Sequence, residues 1–348
     1  MKAAILAGGL GTRMRPLTYT TPKPLLPILN VPMLVRILDR LPRSVDGVVL
    51  AVNYLADKIA AYLKENPPSL PVKLVEEREP LGTAGAVKNL EADLGDDRFF
   101  VLNGDVVASV DLTSMVEFHK RRKGLGTLHL WPVEDPTRYG IARLAEDGRI
   151  VEFKEKPRPE EAFSNLINAG TYILEPEVLD LIPAGRPASI EKETFPALIP
   201  RGLFGYASGD FWIDAGKPLD YIEAHRLLMN ADRSRYRMRK RMPGVEVEPP
   251  CLIPASSELA PGARVGPNVS LGRGVVVGEG AVIADSVLLD DVRVGARARI
   301  DMSVIGHGAF IGDGSRVSRG TVVADGAEVA PGRRTANFES VEAPRHPS

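Results

Sequence analysis

The sequence predicts an α/β protein in two parts: a domain on a mainly parallel sheet, then a parallel β-helix. Three observations carry this expectation. Up to about residue 230, short apolar runs alternate with stretches of helical apolar spacing, the pattern of a sheet covered on both faces. After Pro243 that alternation stops, and an aliphatic residue recurs every six positions. A glycine-rich turn, Gly8, Gly9 and Gly11, directly follows the first apolar run. Loops at strand carboxyl ends are where such sheets take their ligands.

In chain order, strands are predicted at Ala3–Ala7, Gly47–Val52, Val72–Val75, Phe99–Leu102, Gly126–Trp131, Ile150–Phe153 and Gly170–Leu174. Met33–Leu41 has helical spacing after Pro32, a residue suited to a first turn. Ala56–Leu63 and Thr83–Leu90 read the same way. Residues 219–241 read as a helix that turns strongly basic, with Arg233, Arg235, Arg237, Arg239, Lys240 and Arg241 at its end. Only Tyr236 accompanies these charges, so no stacking series for nucleic acid is present and a solvated linker is expected. The six-residue beat places Leu259, Val265, Leu271, Val277, Ile283 and Leu289 inside the coil. After one-residue slips it resumes at Val294 and Ile300, then at Ile305, Ile311, Val317, Val323 and Val329. Small or acidic residues follow nearly every one, as a hexapeptide β-helix requires.

Composition narrows the class. The chain has 348 residues, room for two domains, and a formal net charge of −1, so no overall field draws it to nucleic acid or membrane. Cys251 is the only cysteine, which excludes an internal disulfide and a Cys-rich zinc site. No apolar run approaches the roughly 20 residues that span a bilayer. The first strand starts at Lys2, leaving no signal-type leader, and a cytoplasmic location is expected.

Gly8, Gly9 and Gly11 let the backbone turn tightly, and successive N–H groups in such a loop form an anion site. Arg13, Arg15 and Lys23 bring cations near it, so a polyphosphate is the expected ligand. The loop is not a Walker loop, because Thr12 and Arg13 follow Gly11. Nor is it a dinucleotide loop, because Met14 stands where a small residue is needed. Asp105, in Asn103-Gly104-Asp105, and Asp214, in Trp212-Ile213-Asp214, supply the carboxylates that magnesium takes alongside phosphate and water. Glu77 and Glu79 precede a second glycine segment, Gly82-Thr83-Ala84-Gly85. Either carboxylate could accept two hydrogen bonds from the guanine edge. Glu155, Lys156 and Asn168 suit sugar hydroxyls and a phosphate, and Gly140 would let a sugar approach the backbone.

The segments LAGGLGTRMRPLT, TPKPLLPI, EPLGTAGA, NGD, RYG, FKEKP, NAG and FWIDAGKP follow one another in the order found in sugar-1-phosphate nucleotidyltransferases. The resemblance covers residues 1 to about 230. With the appended hexapeptide helix, the chain is most similar to mannose-1-phosphate guanylyltransferases. The resemblance implies a Rossmann-like domain followed by a left-handed parallel β-helix. It also implies that Leu6, Ala7, Gly8, Gly9, Gly11, Thr12 and Arg13 bind the nucleotide and its phosphates, and that Arg13 and Lys23 stabilise charge during transfer. Glu77 or Glu79, with Gly82, would face the base. Asp105 and Asp214 would hold Mg2+. Asn103, Gly140, Glu155 and Asn168 would hold the sugar, and Lys156 its phosphate.

The expected organisation is a nucleotidyltransferase domain over 1–230, a basic linker helix and connector over 231–250, a β-helix over 251–334, and a disordered tail over 335–348. The expected partners are a nucleoside triphosphate, with GTP favoured, and a sugar-1-phosphate. Homo-oligomer formation through the β-helix is expected, with no nucleic acid or membrane partner. Two further activities in the same frame are uridylyl or thymidylyl transfer to glucose-1-phosphate, and acyl transfer on the β-helix, which carries one histidine, His307. A non-catalytic regulatory subunit is disfavoured by the intact Arg13, Lys23, Asp105 and Asp214.

Overall fold

The computed structural model describes residues 1–209, 211–236 and 243–343. They divide into two compact units that do not follow chain order. One is Met1–Leu10 with Met33–Trp212, and the other is Gly11–Pro32 with Ile213 onward. The sequence placed the division near residue 230 and kept residues 11–32 with the first domain. The structure moves that segment and everything after Trp212 to the second unit.

Along the chain, β1 (Lys2–Leu6) leads to three 3-10 turns and a hairpin of β2 (Pro27–Ile28) and β3 (Val31–Pro32). Then follow α1 (Met33–Leu38), β4 (Gly47–Val52), α2 (Ala56–Glu65), β5 (Val72–Glu76), α3 (Gly82–Asn89) and α4 (Glu91–Leu94). Next come β6 (Phe99–Asn103), β7 (Val106–Ala108), α5 (Leu112–Arg122), β8 (Gly126–Pro132), β9 (Gly140–Leu144), β10 (Ile150–Glu155) and β11 (Leu166–Leu174). The series closes with α6 (Phe195–Gly202), β12 (Leu203–Ala207), β13 (Trp212–Asp214) and α7 (Pro218–Ala231).

In the first unit one sheet runs β10-β9-β11-β6-β1-β4-β5, with β8 also on β11 and β12 on β8. The pairs β6–β1, β1–β4 and β4–β5 are parallel. Every residue of β4 is buried, as expected of a strand covered on both faces. Across β11 the sheet turns antiparallel. At the sheet's edge β9 and β10 form an antiparallel hairpin, joined by a short turn closed by Ala145 N–H to the Arg149 carbonyl at 2.8 Å. The core gathers Phe99, Val101, Leu128, Tyr172, Phe195 and Leu198 between this sheet and the helices. Tyr172 and Phe195 meet edge-to-face at 5.0 Å. The alternation did not reveal β9 or β12, since both are short and β9 contains Arg143.

In the second unit, α7 ends at Ala231, so the described part of the predicted basic helix stops before its charges. Arg237, Arg239, Lys240 and Arg241 lie outside the described residues. Beyond them a three-sided parallel β-helix begins at Glu246–Val247, each face a parallel sheet of two- and three-residue strands. Val265, Ile283, Ile300 and Val317 stack in register, all buried. The first slip falls one residue earlier than predicted: Leu288, not Leu289, pairs with Leu271. Both leucines are buried, which is why the sequence could not choose between them. The coil also outlasts its expected end, because Ser340–Val341 pairs with Val322–Val323.

A recurrent corner device holds the turns. An aspartate of one coil accepts a backbone N–H of the preceding coil: Asp290 from Arg273 at 2.8 Å, Asp313 from Ala296 at 2.9 Å, Asp325 from His307 at 2.8 Å. The His307 ring is itself engaged, its Nδ1 accepting the Asp290 N–H at 3.2 Å. Among the described residues no helix is long and apolar enough to cross a membrane.

Candidate active site

In the first unit, the register of β1 aligns Leu6 with Ala51 on one side and Asn103 on the other. Three parallel strands therefore end together, and each hands its next residues to one surface. The Ala7 N–H is donated to the Ala51 carbonyl at 2.9 Å, and the Gly104 N–H to the Leu6 carbonyl at 2.9 Å. The Leu6 carbonyl and the Ala7 N–H are thus taken up by the sheet, and the loop opens at Gly8. A side chain at Gly8 would stand 3.5 Å from Asn53 Cβ and 3.6 Å from Glu77 Oε2. Nothing lies within 4 Å of where a Gly9 side chain would begin.

Glu77 and Glu79 were equivalent in the sequence, but their settings differ. Glu79 is exposed, whereas Glu77 is 8% exposed and borders Gly8. Burial pushes the Glu77 carboxyl up from the ordinary range, against a backbone hydrogen bond from Leu81. Asn53, which the sequence reading did not single out, donates its Nδ2–H to the Glu77 carbonyl at 2.6 Å. Its position just past β4 was the available signal. Glu77 and Glu79, with Leu81, Lys88 and Arg186, line an open cavity of about 620 Å³. Gly82 has φ +68, and a side chain there would meet the Ala188 carbonyl at 2.6 Å. Close packing of α3 therefore requires this glycine whatever faces the base.

The residues expected at the sugar fall into two groups. In one, Gly140 pairs with Glu155 across β9 and β10, and a side chain at Gly140 would lie 2.7 Å from Glu155 Oε2. Lys156 Nζ is 3.5 Å from Glu155 Oε1. Burial raises the Glu155 carboxyl, and Glu191 nearby adds to the effect. In the other group, Gly170 at φ +73 lies against Asn103, whose Nδ2 would be 2.6 Å from an added side chain. Asn168 braces this bend: its Oδ1 accepts the Gly170 N–H at 3.0 Å, and its Nδ2–H is donated to the Tyr172 hydroxyl at 2.9 Å. Trp212 Nε1–H reaches the Ala169 carbonyl at 2.9 Å, and Tyr139 packs edge-on to Trp212 at 5.3 Å. Glu191 was not singled out, because an isolated Glu carries no positional signal; Tyr139 and Trp212 lie within the RYG and FWIDAGKP segments but were given no role of their own. Asp105 follows directly on β6 and Gly104.

In the second unit, Gly11 at φ +60 packs on Thr18, whose hydroxyl is donated to the Gly11 carbonyl at 2.9 Å. Thr12, Arg13 and Met14 form a 3-10 turn with Met14 fully buried, which anchors Arg13 beside it. Lys23 opens a later 3-10 turn and is itself buried. Both cations approach one carboxylate: Arg13 Nη2 lies 3.9 Å from Asp214 Oδ2, and Lys23 Nζ 4.0 Å from Asp214 Oδ1. These are separations at the outer limit of an ion pair. Gly216 provides the clearance, since its side chain would fall 2.6 Å from both Arg13 Nη2 and Asp214 Oδ1.

Two cations converging on one aspartate, the first just past a glycine turn, make a site for a phosphorylated ligand. That defines a class, phosphate-transferring or phosphate-binding proteins with an open α/β sheet. Residues 2–231 match the nucleotidyl transferase family, and residues 247–338 match the GMPPB C-terminal domain. The chain is 38% identical to mannose-1-phosphate guanylyltransferase 1 of Arabidopsis thaliana over 88% of this chain and 86% of that protein. It is 42% identical to the mannose-1-phosphate guanylyltransferase catalytic subunit beta of Xenopus tropicalis over 68% of this chain and 67% of that one. The crystal structure of HddC from Yersinia pseudotuberculosis complexed with GMP-PN superposes with a TM-score of 0.56 at 31% identity, over 65% of this chain and 99% of that chain. The chain belongs to the nucleotidyl transferase family, and it is a sugar-1-phosphate nucleotidyltransferase. Enzymes of this family generally use a divalent metal.

Proposed function

We propose that the protein makes GDP-mannose from GTP and mannose-1-phosphate. The observation that carries the choice of base is Glu77, a buried carboxylate bordering Gly8 at the mouth of the glycine loop. A carboxylate there can accept the paired N–H donors of guanine. The names of the Arabidopsis and Xenopus relatives support the same base and sugar.

In the reaction a phosphate oxygen of the sugar-1-phosphate bonds to the α-phosphorus of the triphosphate. The bond from that phosphorus to the bridging oxygen breaks, and pyrophosphate leaves with the electron pair. The attacking oxygen is already ionised at neutral pH, so no side chain must remove a proton. Gly8, Gly9, Gly11 and Thr12 cradle the phosphates, while Arg13 and Lys23 stabilise the charge that develops. Lys156 takes the sugar phosphate, and Gly140, Glu155 and the bend held by Asn103 and Asn168 take the sugar.

Magnesium fits the donor set. Among the described residues no group of three or more His, Cys, Asp or Glu could cage a metal. One or two carboxylates completed by substrate phosphate and water are what magnesium uses. Asp105 and Asp214 are the carboxylates we assign to it, and when bound it neutralises triphosphate charge. A panel of GTP, ATP, UTP and dTTP against mannose-, glucose- and N-acetylglucosamine-1-phosphate, reading pyrophosphate, tests the proposal. GTP with mannose-1-phosphate should exceed every other pair in kcat/KM, and a larger value for dTTP or UTP with glucose-1-phosphate would replace it. Asp105→Asn should abolish turnover with an unchanged melting temperature, and near-normal magnesium-dependent activity would remove Asp105 from the site. The β-helix supports self-assembly, since Val276 and Phe310 stand exposed on one of its faces.

A further inference from the structure

The segment that carries Arg13 and Lys23 has little structure of its own. Between Gly11 and Pro32 it forms only three short 3-10 turns and a two-residue-strand hairpin. Its backbone hydrogen bonds are local, such as Met14 N–H to the Gly11 carbonyl at 2.8 Å and Leu25 N–H to the Pro22 carbonyl at 2.8 Å, and one longer side-chain bond, from the Thr18 hydroxyl to the Gly11 carbonyl at 2.9 Å, ties the second turn to the first. Such turns do not fix the path of the chain between them. From Thr20 onward the segment also takes partners outside itself.

The outside partners belong to the C-terminal part of the same unit. Past Lys23, Pro27 accepts the Tyr221 hydroxyl, and the Leu29 N–H faces His225 Nδ1 at 3.4 Å, both on α7. Two contacts go to the β-helix itself. Asn30 donates its Nδ2–H to the Leu271 carbonyl at 2.9 Å, and the Thr20 hydroxyl, which also lies 3.0 Å from the Leu17 carbonyl, is nearest Asp325 Oδ2 at 2.5 Å. Asp325 is one of the corner aspartates, with its other oxygen already fixed by the His307 N–H at 2.8 Å. A carboxylate clamped at one oxygen is a stiff acceptor for the other, and a hydrogen bond to a charged acceptor is among the stronger ones. Thr20 lies three residues before Lys23: the Thr20 and Thr21 N–H groups close a turn on the Leu17 carbonyl at 3.3 and 3.1 Å, and the next turn, containing Lys23, runs from Pro22 to Leu25.

We infer that the β-helix is part of the positioning apparatus of the active site: Asp325, through Thr20, and the Leu271 carbonyl, through Asn30, set where Lys23 and Arg13 stand. Thr20, Asn30 and Asp325 are positioning residues and touch no substrate. The inference rests on the reading of Arg13 and Lys23 as the charge stabilisers of the transfer.

The test uses the full chain with Thr20→Val, Thr20→Ser, Asn30→Ala and Asp325→Ala, and two readouts. Losing one such bond should lower kcat about tenfold with KM within about twofold. Thr20→Ser, which keeps the hydroxyl, should return to near wild-type kcat. Amide hydrogen exchange over residues 17–30 should speed up in Thr20→Val and Asp325→Ala, while the buried coil residues around Ile283 and Ile300 stay protected. Exchange needs no substrate, so it decides the positioning claim even if the panel above finds a different base or sugar. Wild-type kcat and exchange in Thr20→Val would overturn the inference. So would a Thr20→Ser variant as impaired as Thr20→Val, or a loss of protection spread evenly over the β-helix.

Discussion

Gly216→Ala separates the geometry of the charge site from the stability of the fold. The new methyl carbon would stand 2.6 Å from Arg13 Nη2 and from Asp214 Oδ1. Ordinary contact begins near 3.4 Å, so each group must retreat by 0.8 Å or more. Both are the far ends of side chains, and Gly216 is not among the glycines with positive φ, so the backbone accepts alanine. The lost chain entropy of the unfolded state offsets part of the crowding, by about 0.4–1 kcal/mol. Net stability should therefore stay within about 1 kcal/mol. Activity should not. A displacement near 1 Å at a reacting group lowers a rate by about 10²-fold, equivalent to about 2.7 kcal/mol of barrier. Steady-state pyrophosphate release should show kcat/KM down by about two orders of magnitude, with the melting temperature moved by no more than about 3 °C. A variant within threefold of wild type would refute the placement of Arg13 beside Asp214. A variant that melts far below wild type would refute the claim that only side-chain ends are displaced.

Two further outcomes follow from the same coordinates. Gly9→Ala meets nothing within 4 Å, so its melting curve should overlay the wild type; if phosphate approaches this backbone, the KM for the triphosphate should rise about tenfold or more, and an unchanged KM would place the phosphates elsewhere. His129 is fully buried, its Nε2–H is donated to the Ser208 carbonyl at 2.8 Å, and burial pushes its pKa from 6.5 down to about 4. A depressed histidine stays neutral in the fold but protonates in the unfolded chain, so its contribution is whole above pH 6.5 and is lost as pH falls toward 4. By pH 4.5 that loss is roughly 2–3 kcal/mol. In denaturant titrations His129→Gln should lose that much less than wild type between pH 7.5 and about 4.5, and parallel curves would show that His129 does not titrate as its burial requires.

The parts of the fold that could be read from sequence are those with a period or a steric requirement. β1 and β4 are short apolar runs, and the β-helix repeats, so both were legible. The loop at Gly8 was legible because three glycines in four positions have few other uses. The sequence could not show that Arg13 and Lys23 converge on Asp214, because the pairing joins segments nearly the whole first unit apart. It could not choose Glu77 over Glu79, since burial alone distinguishes them. It could not show that the approach of Gly82 to the Ala188 carbonyl by itself demands a glycine there. Glu155 and Glu191 illustrate the same limit: their mutual influence depends on how the segment after β11 folds back. The packing of residues 11–32 with the residues after Trp212 was not legible, because 3-10 turns have no periodic signature to follow.

The corner aspartate has a consequence for how the protein is made. Thr20 and Asp325 are separated by 305 positions in the chain. At about 5–20 residues per second, a ribosome needs roughly 15–60 s to travel from one to the other. During that interval the first unit's strands can find one another, and Tyr221, His225 and Leu271 are made as partners for Pro27, Leu29 and Asn30, while Thr20 still lacks Asp325. Closing so long a loop adds little entropy beyond closing one half its length. The delay therefore lies in synthesis, not in thermodynamics. The chain makes its reactive segment among the first residues and completes its contacts among the last, so a shortened product ending before Asp325 would lack the hold on Thr20.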